Sequence, residues 1–286
     1  ASLRSFMYRA SLLPSREDPL SVMRIGNIVA GGTGKTPFTA KLARDLAPHR
    51  RVAILMRGYR GGDEALMLRE HLDIPIYVER TRLEAAHIAF RDECDLALLD
   101  DGLQHRQLRR DLEIILVDGS DPFGKGHFLP RGYLRESPSA LRRADAVVVT
   151  HFSEEALQAV TRYTDAPIIG MRYKAARCDL AGKRVALLCG IAKPHHFISL
   201  VEELGADIVK TLILPDHIAP TQAQLQAFKN ESLDAGCDEI VCTEKDWVKL
   251  PRQLESKVPV TKVPVALSIT YGEEEYDRLI ERAKVV

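Results

Sequence analysis

The chain has 286 residues, 45% hydrophobic and 28% charged, enough apolar material for one large or two ordinary domains and too balanced for a low-complexity or disordered chain. Forty Lys and Arg offset forty Asp and Glu, a neutrality that argues against a bulk nucleic-acid binder, which needs a net basic surface. Apolar runs such as Leu96–Leu99 and Ala146–Val149 fall far short of the roughly 18 residues that cross a membrane.

The first stretch sets Arg4, Arg9 and Arg16 among Leu3, Phe6, Met7, Leu12 and Leu13, opens on Ala1, and lacks the long apolar region and cleavage site of a signal peptide. It reads as a weak interfacial-helix signal, with an ordinary surface helix as the other reading. After it, apolar runs alternate with segments of helical spacing. Strands are expected at Val22–Val29, Arg51–Met56, Ile74–Val78, Asp95–Leu99, Glu113–Val117, Asp145–Val149, Pro167–Tyr173, Arg184–Leu188, Asp207–Leu214, Glu239–Cys242 and Val258–Val263. Helices are expected at Pro37–Leu46, Arg82–Arg91, Glu154–Arg162, His195–Leu204, Thr221–Asp234 and Glu274–Ala283. Strand then helix, repeated, predicts an α/β protein: two P-loop or Rossmann-like units with mostly parallel sheets, joined by a hinge. The expected division is 1–165 for nucleotide binding and catalysis, 166–182 for the hinge, and 183–286 for a smaller α/β domain closing over the site. Cys94, Cys178, Cys189, Cys237 and Cys242 are odd in number, show no C-x-x-C spacing and read as reduced, mostly buried thiols of a cytosolic protein.

The strongest local pattern follows the first strand. Gly31-Gly32-Thr33-Gly34-Lys35-Thr36 stands between an apolar run and a helix opened by Pro37, the strand, glycine loop and helix order of a phosphate-binding loop. Glycines let backbone N–H groups converge on phosphate oxygens at a helix N-terminus. Lys35 would reach the β- and γ-phosphates, and the Thr36 hydroxyl would ligate Mg²⁺. Val29 occupies the place where the strict motif has its first glycine.

Acids stand at the ends of later strands. Leu96-Ala-Leu-Leu runs into Asp100 and Asp101, where a P-loop protein holds the acid that positions Mg²⁺; the other reading is a helix N-terminus with acidic caps. Arg57-Gly-Tyr-Arg-Gly-Gly-Asp63-Glu64 follows the second strand, so Asp63 is a candidate base toward an acceptor hydroxyl, or a turn residue or helix cap. Leu129-Pro-Arg-Gly-Tyr-Leu-Arg135-Glu136 supplies a basic and acidic pair, and Leu214-Pro-Asp216-His217 sets an imidazole after a strand. Thr243-Glu-Lys-Asp246 reads equally as nucleotide-base recognition and as a helix-capping box.

Together these segments resemble the tetraacyldisaccharide 4′-kinases, the lipid A 4′-kinases of Gram-negative bacteria. The resemblance is carried by Gly26-Asn-Ile with the glycine loop, Arg57-Gly-Tyr, Gly62-Asp-Glu, Asp100-Asp-Gly-Leu-Gln-His, Val117-Asp-Gly, Phe123-Gly, Leu129-Pro, Leu134-Arg-Glu, Ala192 to Phe197, Pro215-Asp-His and Thr243-Glu-Lys-Asp, in family order over nearly the whole chain. Family members also lack glycine where Val29 stands. The stretch before Gly62 is shorter than in many relatives, Ile218 follows Pro-Asp-His where a polar residue is common, and the family's hydrophobic N-terminal helix is not in this sequence.

The resemblance implies transfer of the ATP γ-phosphoryl group to the 4′-hydroxyl of a tetraacylated glucosamine disaccharide 1-phosphate, with ATP and Mg²⁺ as cofactors. It implies Lys35 and Thr36 on phosphate and metal, Asp63 with His217 as a base dyad assembled by domain closure, and Asp100, Asp101 and Glu136 around the metal. It further implies an acylated lipid substrate and a peripheral place at the cytoplasmic face of the bacterial inner membrane, with no nucleic acid and no obligate protein partner. The competing class is a P-loop NTPase switch or metallochaperone whose hydrolysis drives a partner, which needs a positioned water where a kinase needs a base beside a hydroxyl.

Overall fold

The structure is a computed structural model that describes residues 20–57, 62–105, 107–175, 178–251 and 257–286. The Arg-rich opening stretch and the centre of the Arg57-Gly-Tyr loop lie outside the described residues. In chain order the elements are β1 (Ser21–Asn27), α1 (Lys35–Leu46), β2 (Val52–Arg57), α2 (Asp63–His71), β3 (Ile76–Glu79), α3 (Arg82–Arg91), β4 (Leu96–Leu99), β5 (Leu112–Asp118), β6 (Ala146–Thr150), α4 (Glu154–Thr161) and β7 (Ile168–Ala175). There follow β8 (Arg184–Cys189), α5 (Pro194–Glu203), β9 (Asp207–Ile213), α6 (Gln222–Asp234), β10 (Glu239–Thr243), α7 (Glu244–Trp247), β11 (Val260–Val263), β12 (Val265–Tyr271) and α8 (Glu273–Val285).

The chain forms two compact units. Among the described residues, the first comprises 20–57, Leu68–Tyr173 and Leu267–Val286; the second comprises 62–67 and Lys174–Ala266. The first holds an eight-stranded sheet in the order β12-β7-β6-β5-β1-β4-β2-β3. β1 pairs in parallel with β4 on one side and β5 on the other. The chain leaves β1 toward β2 and β3 and later returns past it to β5, so the strand order reverses at β1. That reversal opens a crevice at the carboxyl edge, the place where α/β sheets take ligands.

Alternation along the strands decides what each face meets. Ala53 and Leu55 of β2 and Ala97 and Leu99 of β4 pack with Ala85, Ala86 and Ala89 of α3, while Ile115 and Val117 of β5 and Val147 and Val149 of β6 pack with Ala156 and Val160 of α4. The second unit holds the parallel order β11-β10-β8-β9. Here Val185, Leu187 and Cys189 of β8 face Phe197 and Val201 of α5, and the intervening Ala186 and Leu188 face Leu225 and Phe228 of α6. Both faces of β8 are therefore buried under helices, which is why its sequence is continuously apolar. The five cysteines are free thiols, and four of them are buried.

The expected boundaries need revision. Within 166–182, expected as a hinge, residues 168–175 form β7, paired in parallel with β6 from Val147↔Ile168 to Thr150↔Met171. Its first four residues are buried and its last four are exposed or half-buried, so the first half of the strand is core. At the other end, β12 and α8 return to the first sheet instead of closing the second unit. Tyr276 of α8 donates to Asp45 of α1 at 2.6 Å, and Arg50 donates to the Ala283 carbonyl at 3.0 Å. Pro264 separates β11 from β12, and a proline, which has no N–H for a ladder, marks a place where a strand can leave its sheet.

Beneath the crevice lies a buried ionic cluster. Arg24 of β1 stands opposite Glu113 of β5. The Glu113 side chain, 1% exposed, lies 3.3 Å from Arg24, 3.2 Å from Arg110 and 3.0 Å from Arg143. A buried carboxylate is tolerated because these guanidinium groups replace its hydration. Glu113→Ala leaves Arg24 buried without its carboxylate, and urea unfolding of the first unit should show a loss of about 3–5 kcal/mol.

Candidate functional site

In the first unit the glycine loop joins β1 to α1. Asn27 donates through Nδ2 to Thr33 Oγ1 at 2.9 Å, and the Thr150 hydroxyl at the end of β6 donates to the Thr33 carbonyl at 3.3 Å, so two strand ends fix the loop. Gly34 has φ +80° and lies so close to the Tyr173 hydroxyl that a side chain there would collide with it. Gly34 is also the N-cap of α1 and provides no side-chain cap. The first N–H groups of α1 are thus available, with the helix dipole, for an anion.

Val29 is explained by its surroundings. It is buried in the apolar cluster with Leu134 and forms an antiparallel bridge to it, while Ala30 N donates to the Tyr133 carbonyl at 2.7 Å. The loop base is thereby fastened to the 124–136 segment by a packed side chain that glycine could not supply.

The acids of β4 divide between two environments. Asp100, 4% exposed, accepts the Thr36 hydroxyl at 3.0 Å and the Thr39 hydroxyl at 3.4 Å. Burial raises its carboxyl above the ordinary range, against the pull of Lys35. Asp101 has φ +51° and carries Lys35 at 3.5 Å and Arg135 at 3.2 Å. Burial opposes its charge, but Lys35, Arg135 and Arg82 together hold its carboxyl below the ordinary range. Glu136 accepts Arg143 at 2.7 Å and Gln104 at 3.3 Å. Through Arg143 it joins the Glu113 cluster, and Gln104 also donates to the Asn27 carbonyl at 3.3 Å, tying the Asp100–His105 turn to β1. Close approach of that turn accounts for Gly26, where a side chain would strike Leu103.

In the second unit Asp63 opens α2 and is 4% exposed. The His217 ring places Nδ1 3.1 Å from its Oδ2 and 3.3 Å from its Oδ1. His217 has φ +65°, a backbone state that a non-glycine residue holds only where its surroundings impose it. The pair was expected to assemble by domain closure; instead Asp63 and His217 belong to one unit, because residues 62–67 group with the second unit and not with the strands that flank them in sequence.

Thr243-Glu-Lys-Asp246 supports this pair. Thr243 caps α7, its Oγ1 accepting the Asp246 N–H at 3.0 Å and donating to Asp246 Oδ2 at 2.7 Å, which is the capping reading of the motif. Asp246, 2% exposed, also accepts the Gly190 N–H at 2.9 Å and Lys249 Nζ at 2.9 Å. Lys249 lies 3.8 Å from Asp63 Oδ2, and Lys245 contacts Asp216 at 3.0 Å and His217 Nε2 at 3.3 Å. A cation thus stands on each side of the Asp63–His217 pair.

Sequence reasoning passed over Arg82 and Lys249. Arg82 donates to the backbone carbonyls of Asp100 and Asp101. Its signal was an arginine directly after the capping Thr81, on a helix whose buried residues are otherwise alanines. The signal for Lys249 was its spacing three residues after Asp246, in the turn that follows a short helix.

A glycine loop with a lysine and a hydroxyl at the switch point of a parallel sheet, opposed by a buried acid at the end of the adjacent strand, defines a P-loop nucleotide-binding protein. Comparison with known proteins narrows this class. The tetraacyldisaccharide-1-P 4′-kinase family matches residues 1–284. A tetraacyldisaccharide 4′-kinase of Anaeromyxobacter dehalogenans is 38% identical over 87% of this chain and 78% of its own length. One of Syntrophobacter fumaroxidans is 36% identical over 96% of this chain and 82% of its own, and one of Chlamydia pneumoniae is 34% identical over 88% and 79%. The chain belongs to the tetraacyldisaccharide 4′-kinase family. Its fold is similar to that of crystalline LpxK from Aquifex aeolicus in complex with ATP, with a TM-score of 0.74 at 24% identity over 99% of this chain and 94% of that one.

The two acids of β4 should titrate apart. Asp101, depressed, contributes stability that is present above the unfolded carboxylate pKa and lost as pH falls through its lower folded value. Asp100, raised, does the opposite: the fold retains its proton longer, and ionisation above the folded value works against stability. Carbon-13 carboxyl titration by NMR should find Asp101 below an exposed aspartate and Asp100 above one.

Proposed function

We propose that the protein is an ATP-dependent kinase that transfers the γ-phosphoryl group to the 4′-hydroxyl of a tetraacylated glucosamine disaccharide 1-phosphate, the reaction of lipid A synthesis that its family name describes. The observation that carries the reading is the Thr36 hydroxyl on the buried Asp100 carboxylate, directly behind Lys35. In a P-loop protein that arrangement serves a nucleoside triphosphate and its metal.

The donor set suits Mg²⁺. Thr36 and Asp100 offer only oxygen, the ligand type of a hard cation that keeps part of its water shell. These two residues would hold the ion, with Asp101 and Glu136 as further acids of that edge. When bound, the ion neutralises phosphate charge. The chain's own groups do the remainder. N–H groups of the glycine loop and of the first turn of α1 bind the phosphate oxygens, and Lys35 balances charge on the transferring group. The acceptor oxygen forms a bond to Pγ as the bond between Pγ and the β,γ-bridging oxygen breaks, ADP departs, and the hydroxyl proton passes to Asp63. His217 fixes the direction of the Asp63 carboxylate and shares the incoming proton. A kinase needs such a base beside the acceptor hydroxyl, where a hydrolytic switch needs a positioned water.

Because the acceptor is a lipid, the protein works at a membrane surface. The contact we propose is peripheral, at the cytoplasmic face of the inner membrane; among the described residues no helix is long and apolar enough to cross a membrane.

The test is incubation with labelled ATP, Mg²⁺ and detergent-dispersed acylated disaccharide 1-phosphate. Labelled lipid is expected; ATP turnover without it would sink the kinase reading in favour of the switch. Lys35→Ala should lose nucleotide affinity or turnover. Asp63→Ala should lower kcat while ATP binding persists, and His217→Ala should lower kcat by less, on the order of 10²-fold. Equal losses would mean that the two act as one unit.

A further inference from the structure

Among the described residues, three of the exposed large apolar side chains fall within one short stretch of chain: Phe128, Leu129 and Tyr133, at 56%, 53% and 45% exposure. Lys125, His127 and Arg131 alternate with them and are also exposed. Neither the nucleotide site nor the Asp63–His217 pair uses these side chains.

The segment is a built turn. Leu129 N donates to the Leu134 carbonyl at 3.2 Å, Leu134 N to His127 at 3.0 Å, Gly132 N to Phe128 at 3.1 Å and Tyr133 N to Gly124 at 2.9 Å. Gly124, Lys125 and Gly126 take φ values of +56°, +62° and +71° in succession, and a side chain on Gly132 would collide with the His127 carbonyl. The backbone is therefore folded on itself while its apolar side chains are held outward in water. Its base is anchored through Leu134 to Val29 and through the Tyr133 carbonyl to Ala30, the two residues that enter the glycine loop.

We infer that the turn from Lys125 to Tyr133 is a membrane-contact element whose occupant is an anionic bilayer surface. Phe, Leu and Tyr favour the boundary between headgroups and acyl chains, and the interleaved cations match acidic headgroups at the same depth. Three apolar side chains are too few for the roughly 20–30 residues a side of a stable protein interface, whereas a bilayer accepts a small wedge with charge around it. The inference rests on the lipid-kinase reading, in which the acceptor must be reached at a membrane. It goes beyond that reading by assigning a contact on the nucleotide-binding unit itself, separate from the Arg-rich opening stretch.

Vesicle flotation tests it, using phosphatidylethanolamine alone and the same lipid with phosphatidylglycerol. Phe128→Ser with Leu129→Ser should lower partitioning onto both by roughly 10-fold or more. Lys125→Glu with Arg131→Glu should lower it on the anionic vesicles only, with the difference shrinking as salt rises. Nucleotide affinity measured by calorimetry should stay at the wild-type value in both variants, which shows that the anchored base still folds. As a second measurement, Phe128→Trp in a Trp247→Phe background should shift its emission to the blue on anionic vesicles. Wild-type partitioning by both variants, or no emission shift, overturns the inference. Vesicle binding that needs the turn, without phosphorylated lipid, would defeat the kinase reading and leave the inference standing. Phosphorylation of dispersed lipid without vesicle binding would do the reverse.

Discussion

A carboxylate at the middle of a parallel sheet needs cations, and Glu113 has three. Its partner Arg24 lies on β1 and Arg143 arrives from the segment after β5, so burying this charge fixes the register of the two strands that flank the crevice. Arg143 also holds Glu136, and Glu136 holds Gln104, which reaches back to the Asn27 carbonyl just before the loop. The orientation of the acidic edge thus depends on a cluster that never meets the nucleotide. Such an arrangement is strongly destabilised by loss of one member, because the remaining charges have no water to return to.

The same physics shapes the second unit on a smaller scale. Asp63, Asp246 and Lys249 are each less than a tenth exposed in their side chains, and each charge is offset by a neighbour within 4 Å. Thr243 and the Gly190 N–H satisfy the remaining capacity of Asp246. A motif that caps a four-residue helix therefore also delivers a buried ammonium to the candidate base. Capping and charge placement are one structural act here, since Asp246, which bonds the N-capping Thr243, also sets the direction of Lys249.

The segment from Gly124 to Glu136 unites what the sequence scattered. Its backbone supports the entrance to the glycine loop, Arg135 restrains Asp101, Glu136 links to the ionic cluster, and its tip carries Phe128 and Leu129 into solvent. A rigid connection of this kind lets one surface loop be oriented by the phosphate-binding site, with no long helix required.

Much of this was written in the chain. The expected strands are present in order; the fully buried parallel ones, such as β4, read as uninterrupted apolar runs, and the glycine loop could be read because phosphate binding demands glycine, lysine and hydroxyl at fixed spacing. The acidic edge at Asp100 and Asp101 followed from an apolar run that ends in charge. What the chain concealed was non-local. Asp63 after Gly62 reads as a candidate base, a turn residue or a helix cap; it opens a helix, and its carboxylate meets His217, 154 positions away in sequence, within one unit. The expected hinge at 166–182 contains the expected strand at Pro167–Tyr173, whose residues 168–171 are buried because β6 lies beside them, and β12 crosses to the first sheet after Pro264. Local composition determined which residues could bind phosphate and form strands. Tertiary structure alone decided which carboxylates lost their water and which cations replaced it, since burial and charge pairing are properties of neighbours in space.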